Sequence, residues 1–248
     1  MASYLYCVRS DAQQPEGVVG LDGAPVRSID AGTLVAWVGD VADGSVDVTV
    51  ERLRAHDAVC AAALTHGDTP LPIRFGQSFA DDAALVRAVA DREHALRERL
   101  ARVSGCVELR VVVTRGRDVD VNEQTPAFAT PDAIGSSAGV DSADVDDEQQ
   151  AEGPGTSFLR RLARAGRADL AREVACEEVR HSVRAAVGDL IIDQQRCEAM
   201  RGVAFFPVLV RRSDVDAFRA AAKNILPSQQ IDLSVLGPFA PYSFSTDA

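Results

Sequence analysis

Residues Leu71–Phe79 read LPIRFGQSF, an apolar run broken by Arg74 and followed soon after by Gly76. Read as an extended strand, the stretch sets Ile73 and Phe75 on one face and Arg74 on the other, because successive strand side chains alternate. Pro72 would fix the start of the strand. Arg74 then either lies across a sheet face, its stem packed and its guanidinium paired to a carboxylate or to carbonyls, or faces a partner or a small ligand.

With LPIRFGQSF as a strand, the amino-terminal half acquires a definite order. Ser3–Arg9 (SYLYCVR) is aromatic and β-branched, as strands are, and PVRSID and TLVAWVGDV, separated by Ala31-Gly32, read as a hairpin. Thr49–Leu64 carries Leu53, Val59, Ala63 and Leu64 between charges, as an amphipathic helix would, with Gly67 as its stop. After LPIRFGQSF, Asp81 opens one helix through Leu85, Val89, Leu96, Leu100 and Val103, which Gly105 ends. CVELRVVVTR, from Cys106, is a valine-rich strand with one deeply buried face. The order β, ββ, α, β, α, β on a single sheet predicts an α+β fold with a ferredoxin-like amino-terminal domain at residues 1–116.

Residues 117–154 change composition to acidic residues with Ser, Gly, Pro and Ala, which reads as a flexible linker or long loop. Residues 155–248 read as a second, smaller α+β domain with long helices. Ser157 to about Val187 is one long helix, or two broken near Gly166. Gly202–Arg211 is an apolar strand in which Pro207 suits an edge or a bulge. A short helix follows, capped by Ser213 and stopped by Pro227, and then a strand at Ile231–Leu236. The chain closes with GPFAPYSF. Gly237, Pro238 and Pro241 forbid helix there, while Phe239, Tyr242 and Phe244 supply apolar mass, either for packing back onto the chain or for an interface.

A net charge of -11 and a pI near 4.8 disfavour a nucleic-acid binder, which needs clustered Lys and Arg. The amino terminus lacks the pattern of a secretory signal, and no segment approaches the roughly 20 apolar residues of a membrane helix, so the expectation is a cytoplasmic protein with no membrane contact. Five widely spaced cysteines without CxxC read as reduced, mostly buried thiols. His56 and Cys60 are four apart on a helix, with His66 beyond. They could meet as metal ligands, or be a satisfied surface histidine beside a buried thiol; a second paired cluster is missing. GxSxG, GxxxxGK[ST] and GxGxxG are all absent, so acyl transfer, nucleotide hydrolysis and dinucleotide binding lack their usual support, and no cofactor is expected.

Five stretches, YLYCV, RAHDAV, LPIRFGQSF, GTSFLRRL and LGPFAPYSF, in this order and covering most of the chain, resemble the gas vesicle protein family GvpF/GvpL. The resemblance implies a ferredoxin-like amino-terminal domain, an α+β carboxy-terminal domain and no catalysis. It also implies a cytoplasmic accessory protein and minor vesicle component, partnered by the very hydrophobic major shell protein and by other accessory proteins. The candidate structural or partner-binding residues are Leu71, Pro72, Ile73, Arg74, Phe75 and Gly76, with Gly237, Pro238, Phe239, Pro241, Tyr242 and Phe244. The competing reading is a small-ligand sensor or enzyme in which Arg74 anchors an anion near His56; it requires a pocket at Arg74.

Overall fold

A computed structural model describes residues 1–42, 44–65, 67–115, 154–200, 203–225 and 231–245. The expected acidic linker, His66 and the Pro227 helix stop lie outside the described residues. The fold is α+β, built on two antiparallel sheets.

The first sheet has at its centre β1 (Ala2–Arg9), every residue of which is buried. β3 (Leu34–Val41) pairs with one side of β1 and carries β2 (Arg27–Ala31) beyond it, as the hairpin reading expects. Burying a strand on both faces demands cover from both, and the alternation of β1 supplies two cores. Tyr4, Tyr6 and Ala2 join Trp37 and the Val59, Cys60 and Ala63 side of α1 (Val50–Thr65). Leu5 and Val8 join Leu85 and Val89 of α2 (Asp82–Ala90) and Leu96, Leu100 and Val103 of α3 (Glu93–Val103). The single helix expected after Asp81 is therefore two. The chain bends at Asp91–Arg92, and both halves keep their apolar residues on the same core.

LPIRFGQSF is not one strand. Leu71–Pro72 (β4) and Ser78–Phe79 (β5) both pair with β1, and residues 73–77 bulge out opposite Leu5 and Tyr6. Gly76 makes the bulge possible with a φ of +92°, a region other residues rarely enter. As a result the expected alternation fails. Ile73 packs with the α2–α3 core and Phe75 with the α1 core, so they do not share a face.

The second sheet runs β10-β6-β9-β7, with β8 also on β9. Its strands are β6 (Cys106–Arg115), β7 (Ile191–Gln194), β8 (Glu198–Met200), β9 (Val203–Arg211) and β10 (Ile231–Phe239). β6, placed by the sequence reading with the strands before it, belongs to this second sheet, because its eight-pair ladder with β9 and its ladder with β10 cover both of its sides. One face is covered by α4 (Pro154–Val187), a helix continuous through Gly166, and by α5 (Val215–Ala222). Pro207 sits neither on an edge strand nor at a bulge in the β6–β9 ladder. It lies in central β9 at the gap between β7 and β8, where Gln195 N–H donates to its carbonyl at 3.0 Å and its missing N–H interrupts no ladder. Ser213 does not cap α5: Arg212–Asp214 forms a 3-10 turn, and the Ser213 hydroxyl donates to Asp214 at 2.8 Å.

Candidate functional site

The bulge at residues 73–77 is pinned by buried polar groups on both sides of Arg74. Ile73 N–H donates to Tyr6 O at 2.9 Å, and the Ile73 carbonyl lies 3.0 Å from His56 Nε2. Gly76 N–H donates to the Tyr4 hydroxyl at 3.0 Å, and that hydroxyl lies 2.9 Å from His56 Nδ1. A carbonyl only accepts, so Nε2 carries the proton, Nδ1 accepts from Tyr4, and the imidazole is neutral. Burial pushes its pKa down from 6.5 to about 4. His56 is thus a buried and fully bonded histidine, 3% exposed, and the surface histidine of the sequence reading is corrected. Cys60 beside it is buried as expected, and desolvation raises its thiol pKa. Among the described residues no cluster of three metal-ligating side chains occurs.

Arg74 itself is exposed and forms no hydrogen bond or ion pair with described residues, so the expected sheet-face pairing is absent. The bulge turns the guanidinium outward, away from any strand neighbour. A cavity of about 280 Å³ lies between Ser10, Thr33, Asp68, Arg97 and Ser104, and neither Arg74 nor His56 lines it.

The two singled-out stretches meet at His56. Its ring centroid lies 5.7 Å from Phe75 and 6.2 Å from Tyr242, and Tyr4 lies 5.9 Å from Phe75. GPFAPYSF passes from β10 back to the first sheet. Ala240 and Tyr242 pack with the α1 core, Phe244 with the α2–α3 core, and Pro241 is buried. Gly237, Pro238 and Phe239 still belong to β10; the register shifts after Leu236, and Phe239 pairs opposite Glu108.

Glu108 anchors this return and was not singled out from sequence. It is fully buried; Ser243 donates to it from its N–H at 2.8 Å and from its hydroxyl at 3.0 Å, and Arg110 donates at 3.1 Å. Desolvation nevertheless holds its pKa above the ordinary glutamate value, against the opposing pull of Arg110. The signal was a lone acid two residues from an arginine, on the same face of a valine-rich strand. Arg110 stacks over Phe239 and Phe205, 5.2 and 5.9 Å from their centroids.

Beyond Arg110 this face of the second sheet opens. Val112, Thr114, Val203 and Phe205 are half-buried, and Leu236 is 41% exposed, whereas the opposite face lies under α4 and α5. No helix among the described residues is long and apolar enough to cross a membrane.

Comparison with known proteins agrees with this architecture. The profile of a family described as gas vesicle synthesis protein GvpL/GvpF matches residues 2–246. Gas vesicle protein L2 of Halobacterium salinarum is 27% identical over 266 aligned positions, covering 98% of this chain and 91% of that protein. Gas vesicle protein F of a Streptomyces species is 28% identical, covering 98% and 99%. The crystal structure of GvpF from an Anabaena species superposes with a TM-score of 0.70 at 18% identity, covering 100% of this chain and 97% of that one. GvpF from Microcystis aeruginosa gives 0.64 at 15% identity.

Proposed function

Because the chain belongs to the GvpL/GvpF family of gas vesicle synthesis proteins, we propose that it is a cytoplasmic accessory protein and minor vesicle component that binds the hydrophobic major shell protein. On this reading it limits aggregation of that protein during nucleation and assembly, in company with other accessory proteins, and turns over no substrate. The observation that carries the reading is the uneven cover of the second sheet. A partly exposed apolar face around Val112, Phe205 and Leu236 offers surface to a partner that is itself apolar before assembly. The net charge of -11 then keeps such a complex dispersed.

In this proposal the LPIRFG and GPFAPYSF stretches, Leu71–Gly76 and Gly237–Phe244, serve as frame: LPIRFG is held by His56, and the tail joins the first sheet to the second by packing Tyr242 near His56 and bonding Ser243 to Glu108. The sensor reading finds no comparable support, since His56 has both nitrogens engaged and the 280 Å³ cavity lies elsewhere. Co-expression with the major shell protein, followed by size-exclusion chromatography of the soluble fraction, tests the proposal. The expected result is co-elution of a shell protein that is insoluble when expressed alone; separate elution from a well-folded sample removes the proposal.

A further inference from the structure

The open face ends at a strand edge that no described residue pairs, and the backbone hydrogen bonding identifies which groups that edge offers. Pro207 accepts from Gln195 N–H at 3.0 Å, so the peptide groups of residue 207 point away from β6. Arg110, opposite Pro207, must therefore turn its N–H and C=O toward β10, where Leu236 is its partner. Alternation along β10 then directs Asp232, Ser234 and Leu236 at β6 and leaves the N–H and C=O of Leu233 and Val235 facing outward. Gly237 agrees with this phase, since its carbonyl accepts from Arg219 of α5. Leu233 and Val235 have no such acceptor or donor among the described residues.

Exposed edges are commonly blunted by short length, by Lys or Pro, by bulges, by charges pointing inward or by a covering element. β2, the corresponding edge of the first sheet, follows that rule: it has five residues, and its Arg27 is paired to both Asp82 and Asp40. β10 has nine residues and one charged side chain, Asp232, with no Lys or Arg; its Pro238 and the register shift between Leu236 and Phe239 blunt only the end beyond Leu236, leaving the stretch through Leu233 and Val235 unguarded. Its Ile231, Leu233 and Val235 side chains pack on the core under α5, and Asp232, Ser234 and Leu236 are exposed on the open face.

We infer that β10 accepts an extended apolar segment of the shell protein as an added antiparallel or parallel strand, hydrogen-bonded to Leu233 and Val235. The inference rests on the proposed function and names its contact surface. The chemistry of the exposed row defines the guest: a basic side chain beside Asp232 and an apolar one beside Leu236, because cross-strand neighbours of opposite charge or shared apolarity stabilise a sheet.

Amide hydrogen exchange at residue resolution, on the full chain alone and in complex with the shell protein, reads this directly. The amides of Leu233 and Val235 are expected to exchange quickly in the free protein and to slow by about tenfold or more in the complex, while those of Ser234 and Leu236, already bonded to β6, change less. Two variants accompany it. Val235→Pro removes an outward donor without removing a ladder bond, and Leu236→Lys guards the edge with charge while leaving every backbone group in place. Each is expected to cut capture by about tenfold or more, and Leu236→Lys keeps the test decisive if Val235→Pro misfolds. A complex that forms without protection at Leu233 and Val235, or that both folded variants retain, overturns the edge assignment and leaves the proposed function standing. Failure of the wild-type chain to form any complex removes both. A concentration-dependent dimer that Leu236→Lys abolishes while shell-protein capture persists would assign the edge to a second copy of this chain and overturn the inference.

Discussion

The two sheets bury their strands differently. β1 in the first is enclosed on both faces, between the core under α1 and the core under α2 and α3. The second is enclosed by α4 and α5 on one face, while the other passes from the buried Glu108 anchor to a half-open surface around Phe205 and Leu236. A strand sealed on both faces can contribute stability and a rigid frame but offers no apolar surface to another molecule. A sheet left partly open gives up some burial and keeps surface for a partner.

The largest separation between the two should come from truncating an aromatic residue in each. Trp37 in β3 is fully buried, donates to Gln13 O at 3.0 Å and lies under the Arg9 guanidinium, so Trp37→Ala is expected to lower unfolding free energy by about 3–5 kcal/mol. Phe205→Ala on the open face, where the ring is half-buried, should cost about 1–2 kcal/mol. Equal losses in denaturant titrations would erase the distinction.

Acid should distinguish the sheets next. His56 has a native pKa near 4, below its unfolded value of 6.5, so the native state binds fewer protons than the unfolded chain between those values. Its contribution to stability is therefore lost as pH falls through that window, by at most about 3 kcal/mol. Glu108 has the opposite sign. Its native pKa is raised, so stability falls as pH rises through the range from its unfolded value to its native one. Chemical denaturation of His56→Gln between pH 6.5 and pH 4 should show a flatter acid-side slope than wild type; an unchanged slope would show that His56 is not the linked group.

Smaller effects follow at the tail and the edge. Ser243→Ala removes the hydroxyl bond to Glu108 but keeps the backbone one, an expected loss of about 1 kcal/mol in thermal or denaturant unfolding. Leu236→Lys, on an exposed position, should alter stability by no more than about 0.5 kcal/mol while weakening capture of the shell protein. A large drop in melting temperature for Leu236→Lys would mean that the open face is structural.

Much of this architecture was legible in sequence wherever periodicity is local. SYLYCVR, the hairpin through Gly32, the helix at Val50–Thr65 and the strand at Val203–Arg211 all appear near their expected places. What was not legible depends on distant pairing. β6 has the same sequence whichever sheet takes it, and only β9 and β10 settle that. IIDQ and EAM, as β7 and β8, are too short and too polar to stand out. LPIRFG hides a bulge, because alternation of apolar residues says nothing of the three extra residues that its two pairings with β1 leave unmatched. His56 is read as a surface residue until Tyr4 and the Ile73 carbonyl are brought to its two nitrogens, contacts 52 and 17 residues away along the chain. Arg74 is answered by the same bulge, which places its charge outside the core.

Whether the partner meets the open face of the second sheet or the first sheet at its bulge is decided by a photocrosslinking amino acid placed either at position 236 on β10 or at position 74 on the bulge, both exposed, in cells co-expressing the shell protein. Docking on the open face gives an adduct with the shell protein from position 236 and little or none from position 74. Adducts from position 74 with none from position 236 would contradict it.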